Sequence, residues 1–235
     1  MDKHPPLRTF GRTGGRALSS RQQRMIDEQL PGLSVPIPDD GFLFPETLFA
    51  PEVEGIWLEV GFGGGEHLTG QALRHPKTGF IGCEPFIEGM AKCLGQIEDT
   101  DLQNVRLLMD DVRPLITSLA PESVDRILIL FPDPWPKKRQ QKRRLVQTDF
   151  LDQLGRIIKP GGQVRFATDV MSYANEALLR FIRHPSFRWL AAHPDDWRMP
   201  PDDHITTRYQ QKLLGDCQPV WFEFERAENQ SASCG

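Results

Sequence analysis

From residue 55 onward, short apolar runs rich in β-forming residues alternate with stretches of helical periodicity. No other feature restricts the fold as much. GIWLEV (55–60), TGFIGCEP (78–85), NVRLLMDD (104–111), VDRILILF (124–131) and GGQVRFATD (161–169) read as strands. EHLTGQALRH (66–75), FIEGMAKCLGQIED (86–99) and segments near 112–118, 145–158 and 170–183 carry the helical pattern between and after them. Five β-α units in succession call for a parallel, doubly wound sheet with helices on both faces. RILIL and QVRFAT are apolar enough for central strands. After Pro185 the texture changes, and FRWLAA and VWFEFE read as a terminal strand pair separated by a polar stretch rich in Asp and Pro. Residues 1–50 show no strand-like alternation and read as an arm and linker with a turn or two of helix, leaving 51–235 as the main domain.

The 235 residues suffice for one good core, with 39% apolar and 26% charged residues as in ordinary soluble domains. A net charge of −4 excludes a generic polyanion binder. The distribution of charge says more. Lys3, Arg8, Arg12, Arg16, Arg21 and Arg24 face a single acid, Asp2, in the first 24 residues, whereas residues 25–60 carry eight acids and no Lys or Arg. Six further positive charges fall within residues 137–144. Positive charge is thus confined to an N-terminal arm and one loop. The four cysteines lack CxxC spacing and read as free thiols of a reducing compartment. No apolar run is long enough to span a membrane. Pro5, Pro6, Gly11, Gly14 and Gly15 break the helix that an organelle transit peptide needs, so the expected location is the cytoplasm.

In a doubly wound sheet, ligands sit at the carboxyl ends of the strands. Each expected strand ends in an acid: Glu59, Glu84, Asp110 with Asp111, Asp133 and Asp169. Any one of them could be a helix N-cap; all five together suit a ligand better. The loop after the first strand is E-V-G-F-G-G-G-E, a strand-to-helix context in which glycine lets backbone approach a ligand. Two cofactors compete for Gly61, Gly63 and Gly65. A dinucleotide would want a third glycine where Glu66 stands, and Glu66 adds bulk and negative charge near a pyrophosphate. S-adenosylmethionine is cationic and carries no phosphate, so surrounding acids favour it. Glu84, about twenty residues beyond the glycines, is placed to accept both ribose hydroxyls, and Asp111 could accept from an adenine amino group.

The segment RILILFPDPWPKKRQQKRR (126–144) runs from a core strand through a proline-bracketed acid and tryptophan into the basic run. It resembles the signature of the bacterial tRNA (guanine-N7)-methyltransferase family. LEVGFGGG, GCEPF, NVRLLMDD, RFATDV and RTFGRTGGRALSSRQQ resemble that family's cofactor loop, ribose acid, adenine strand, fifth strand and basic arm. The resemblance implies a Rossmann-like class I S-adenosylmethionine-dependent methyltransferase, a seven-stranded α/β sheet with a terminal antiparallel strand. It implies methylation of guanine N7 at position 46, in the variable loop of tRNA. It further implies that Glu59, Glu84, Asp111 and Asp133 contact the cofactor or flank its methyl group, and that Lys137 and Asp169 meet the substrate. The family's late T-x-[FY]-E segment, at its substrate site, corresponds to Thr207-Arg208-Tyr209-Gln210, with glutamine in place of the acid, which implies that Thr207, Tyr209 and Gln210 bind the substrate.

Guanine N7 carries a lone pair and no proton, so its methylation needs positioning more than a base. Asp133 is expected to orient the guanine and the methyl group, and Asp169 to hold the base edge. Pro132, Pro134 and Pro136 stiffen the acid–aromatic turn; Trp135 either stacks on a base or packs under the loop. Loop 137–144 and the arm are expected to grip tRNA phosphates. DDWRMPPDDH (195–204) reads as a polar loop that can bring His204 near the substrate, and no metal-ligand pattern stands out. The resemblance is to the self-sufficient bacterial branch, with no obligatory protein partner, as monomer or homodimer. Two other readings stand beside this one: an NAD(P)-dependent oxidoreductase, disfavoured by Glu66 and by the lack of a proton relay, and an RNA-binding module with a vestigial cofactor pocket.

Overall fold

The apolar runs pair in an order set by their crossover connections. A computed structural model describes residues 17–212 and 214–227. Most of the arginine-rich arm (1–16) and Cys234 lie outside the described residues. The chain begins with α1 (Ser20–Arg24), a π-helical turn (Met25–Gln29), α2 (Leu30–Leu33) and a 3-10 turn (Pro45–Leu48). The alternating part follows as β1 (Gly55–Val60), α3 (Glu66–Arg74), β2 (Thr78–Cys83), α4 (Ile87–Thr100), β3 (Val105–Leu108), α5 (Val112–Ser118) and β4 (Val124–Leu130). A 3-10 helix (Lys138–Arg143) leads to α6 (Thr148–Ile157), β5 (Ile158–Thr168), α7 (Met171–Arg183), β6 (Phe187–Trp189), α8 (Asp195–Arg198), α9 (Arg208–Gln211) and β7 (Val220–Arg226).

The sheet has the order β3-β2-β1-β4-β5-β7-β6, with β1 to β5 parallel and β7 antiparallel to both its neighbours. The expected terminal pair therefore forms, with the last strand of the chain inserted between β5 and β6. Helices α5, α6 and α7 cover one face through Leu115, Ile116, Phe150, Leu154, Tyr173 and Phe181. Helix α6 shows why: Phe150, Leu151, Leu154 and Ile157 recur at helical spacing and are buried, each contributing about 1.5–3 kcal/mol. Helices α3 and α4 cover the other face with Leu68, Ala72, Met90, Leu94 and Ile97.

Two stretches differ from their sequence reading. The N-terminal helical stretch runs from residue 20 to 33, longer than a turn or two. It packs on α4, with Met25 and Leu30 in the core and Arg21 paired with Glu98 at 2.9 Å. The fifth strand starts at Ile158 rather than Gly161, because α6 passes straight into it. Residues 159–162 form an irregularity opposite Asp125, so the Pro-Gly-Gly sequence that reads as a turn lies inside the strand.

On the α3 face, the β4-β5-β7 part of the sheet is covered differently. Leu128, Leu130, Ala167 and Trp221 form a small cluster there, and the loop between α8 and β7 crosses it. Asp203 of that loop pairs with Arg126 at 2.8 Å and Arg165 at 2.7 Å, and Arg165 also bonds Glu223. Arg165 is 2% exposed, so its charge is tolerated because two carboxylates meet it.

Among the described residues no helix is long and apolar enough to cross a membrane. Cys83, Cys93 and Cys217 are free.

Candidate active site

The parallel strands bring their carboxyl ends to one edge, where a cavity of about 500 Å³ opens. Glu59, Gly61, Gly63, Glu84, Asp111, Asp133, Thr207 and Tyr209 all line it. Gly65, Lys137, Asp169 and Gln210 stand outside its lining.

Most of the acids at this edge are met by donors from neighbouring segments. Glu84 accepts from the Gly63 N–H at 2.8 Å and the Phe86 N–H at 2.9 Å, which fastens the glycine loop to the end of β2. Each of its oxygens keeps a further acceptor site. Burial raises the Glu84 carboxyl above its ordinary pKa against those two donors, and the charge of Asp133 adds to the rise. Glu59 lies 2.8 Å from Nδ1 of His67, with both side chains almost wholly buried. Asp111 caps α5 through the Arg113 N–H and takes the Arg113 guanidinium on both oxygens, at 2.8 Å each. Glu66 meets Arg208 of α9 at 3.1 Å, so its charge is answered across the cavity mouth.

Asp133 differs from these. Among the described residues no donor is bonded to it; the side chain is open to solvent at the cavity, and partial desolvation by the wall around it raises its carboxyl. Its turn is strained at both ends: Phe131 has φ +53° and Trp135 φ +42°, a region that bulky residues enter only when their surroundings impose it. The Phe131 N–H donates to Ala167 O at 2.8 Å, and its ring is wedged between Tyr209 and Trp221 at 5.5 and 5.6 Å. Prolines 132, 134 and 136 fix φ along the same turn.

Trp135 lines the cavity, with the Arg143 guanidinium 5.1 Å from its ring centre. Arg144 turns inward instead. It donates to Pro134 O, Ser172 O and Ser172 Oγ and pairs with Glu176 at 2.6 Å. The basic run therefore spends one of its six charges on structure, while Lys137, Lys138, Arg139 and Lys142 are exposed.

The late segment Thr207–Gln210 is a capping box. The Thr207 hydroxyl accepts from the Gln210 N–H, and Gln210 Oε1 accepts from the Thr207 N–H at 3.0 Å. Threonine followed three residues later by an acid or glutamine is the sequence mark of that motif, so glutamine fulfils this role as an acid would. Tyr209 donates to Asp169 Oδ1 at 3.4 Å. Burial, with Asp169 adding, pushes the tyrosine hydroxyl up to about 12. Asp169 thus reaches the cavity through Tyr209.

Reading the sequence alone missed His67 and Lys92. The signal for His67 was a histidine among the inward positions of α3, beside Leu68, Gln71 and Ala72. Lys92 lines the cavity from α4, and Lys212, next to the late segment, lines it too.

Comparison with known proteins gives the family. Residues 54–222 match a family described as "Putative methyltransferase". The tRNA (guanine-N(7)-)-methyltransferase of Hyphomonas neptunium is 58% identical over 218 residues, covering 93% of this chain and 99% of that protein. The chain belongs to the tRNA (guanine-N7)-methyltransferase family. A second family member, from Caulobacter vibrioides, is 46% identical over 95% of this chain and 96% of its own. Two solved structures share the fold of this family member. The 16S rRNA methyltransferase KamB has a TM-score of 0.51 at 15% identity, covering 77% of this chain and 95% of its own. The 16S rRNA (adenine(1408)-N(1))-methyltransferase of Catenulisporales acidiphilia has a TM-score of 0.50 at 15% identity, covering 76% and 88%.

Two glycines of the loop separate ligand space from fold. At Gly63 (φ +59°), which lines the cavity, an added Cβ would meet nothing within 4 Å. At Gly65 (φ +87°) it would lie 2.7 Å from Cβ and Sγ of Cys93 on α4. Gly63→Ala should cost only the left-handed backbone, about 1–2 kcal/mol, and weaken ligand binding. Gly65→Ala should destabilise more, because α4 must shift. Chemical denaturation of the two variants checks that order.

Proposed function

We propose that this chain transfers the methyl group of S-adenosylmethionine to N7 of a guanine in tRNA, at position 46 of the variable loop. One observation carries this reading: Asp133, the strand-end acid to which no donor is bonded among the described residues, stands at a rigid turn between an acid-lined cavity and an exposed basic helix. The cavity fits the donor. Gly63 leaves space that a side chain would fill, and Glu84 has the acceptor capacity for a ribose diol. The carboxylates around the cavity suit a cation. When bound, S-adenosylmethionine supplies an electrophilic methyl group on a positively charged sulfur.

The residues then divide the work. Glu84 holds the ribose end, and Asp111, fixed by Arg113, faces the adenine end. The backbone of Gly61 to Gly64 and the Glu59 wall receive the amino acid end. Asp133 and Tyr209 position the guanine, whose N7 lone pair needs no base to free it. Positive charge grows on the base as N7 is alkylated, and Asp133, with Asp169 behind Tyr209, offsets it. The exposed Lys137, Lys138, Arg139 and Lys142, together with the basic residues Lys3, Arg8, Arg12 and Arg16 of the N-terminal arm, grip the RNA phosphates. The main domain 51–235 carries the reaction, and such a reaction belongs in the cytoplasm.

Labelled S-adenosylmethionine incubated with an unmodified tRNA transcript should deliver label that nucleoside analysis recovers as 7-methylguanosine. Replacing the variable-loop guanine should abolish it. Label on another atom or nucleoside would overturn the assignment. Asp133→Asn should lower kcat about tenfold to hundredfold while leaving donor affinity within about threefold.

Acidification gives a second test. Glu84 is useful to a diol only when ionised, and its pKa is raised, so protonation begins at a higher pH than for an exposed glutamate. Donor Kd, read by calorimetry, should therefore rise as pH falls toward the carboxylate range from above. Glu84→Gln should bind weakly at every pH, with that dependence flattened. Unchanged affinity in this variant would remove Glu84 from the donor site.

A further inference from the structure

Two histidines beside the cavity, His67 buried and His204 half-buried, take no part in the reaction proposed above. His67, on α3, is fully buried and holds Glu59 through Nδ1 at 2.8 Å. Its ring stacks on that of His204, with centroids 5.2 Å apart and planes inclined by 28°. His204 also packs on Trp221, with ring centroids 4.2 Å apart. Its Nε2 lies 2.7 Å from Gln210 Oε1. That same oxygen accepts from the Thr207 N–H and closes the cap of α9. Glu59 and Thr207 both line the cavity, whereas the histidines between them do not. A continuous chain of contacts thus joins one cavity wall to the opposite one behind the lining.

The proton arrangement on this chain is determined. Gln210 Oε1 faces a backbone N–H, so it is an acceptor, and His204 must donate to it from Nε2. Burial pushes the His204 imidazole down to about 4, against the opposing effect of its bond to Gln210, so the ring is neutral. A carboxylate at position 210 would favour a proton on His204, in a pocket that already faces His67 and Arg165. Glutamine caps α9 equally well and leaves the ring neutral. That gives a physical reason for finding glutamine here, where the resemblance leads one to expect an acid.

Further contacts make the brace rigid. Gln71 and Arg74, also on α3, donate to Asp203 O at 2.6 and 3.0 Å. An added Cβ on Gly70 of the same helix would stand 2.4 Å from Ile205 Cδ1, so the segment lies directly on α3. The helix opened by the glycine loop therefore also carries residues 203–205.

We propose that His204, braced between His67 and Gln210, is a positioning residue for methyl transfer. It fixes the cap of α9, and with it Thr207 and Tyr209, at a set distance from the Glu59 wall of the donor cavity. This rests on the reaction proposed above, in which those two sides hold acceptor and donor.

The full chain with His204→Phe keeps a stacked ring and loses the Nε2 donor; His204→Gln restores an N–H near the same place. At saturating donor and tRNA, His204→Phe should lower kcat about tenfold to hundredfold. Its Kd for S-adenosylhomocysteine should stay within about threefold, its unfolding temperature should stay close to that of the parent, and His204→Gln should recover most of the loss. A wild-type kcat in His204→Phe overturns the proposal. So does a fall that tracks lowered unfolding temperature and is equal in both variants.

Hydrogen exchange of residues 204–212 provides a reading independent of activity. Exchange there should quicken in His204→Phe, revert in His204→Gln, and stay unchanged in β4 and α7. If the parent chain makes no 7-methylguanosine while exchange follows this order, the reaction assignment fails and the brace stands. Unchanged exchange in His204→Phe overturns the brace whatever the activity.

Discussion

Parallel strands joined by right-handed crossovers deliver all their carboxyl ends to one edge, and the rest of this structure follows from that constraint. Five such ends converge here, each carrying an acid within three residues of the strand's last position. Left alone they would repel one another. The chain answers them singly, with backbone N–H groups for Glu84, the Arg113 fork for Asp111, an imidazole for Glu59 and a phenol for Asp169. Asp133 is the exception, and the strained turn that holds it is secured from three sides. Local strain persists only where the surroundings over-determine it, and here they do so beside the strand-end acid that no described donor meets.

The second constraint is the face of β4, β5 and β7, which a loop covers in place of a helix. A loop can do so because Asp203 neutralises Arg126 and Arg165, side chains that point from the sheet into what would otherwise be apolar packing. The return is that residues 203–212 arrive at the cavity mouth as an ordered segment. Glu59 and the segment that leads to Thr207 and Tyr209 thereby rest on the same helix, α3.

Much of this was legible in the residues. The run GIWLEV coincides with β1, and the helix read over 112–118 coincides with α5, because a glycine loop and an N-capping aspartate bound them. The strand-end acids could be located without a structure, since the side chain after an apolar run must emerge at the sheet edge. Long-range pairing was less legible. Nothing near Arg144 signals that it turns inward toward Glu176, and nothing near His67 signals His204, which lies far along the chain. The N-terminal helical stretch was also underestimated, because Met25 and Leu30 bury against α4 and their local pattern is short. Thr207-x-x-Gln210 was visible as a motif, yet its capping geometry appears only once the segment is folded.

The central claim is that this edge presents one guanine N7 to a methyl donor. Alkylation at N7 makes the base labile to reduction and the chain then cleavable by aniline, so the modified position can be mapped as a strand break. After full reaction, a tRNA treated with borohydride and aniline should break once, at the variable-loop guanine at position 46. Methyl incorporation with an intact chain, or breaks spread over other guanines, would contradict the claim.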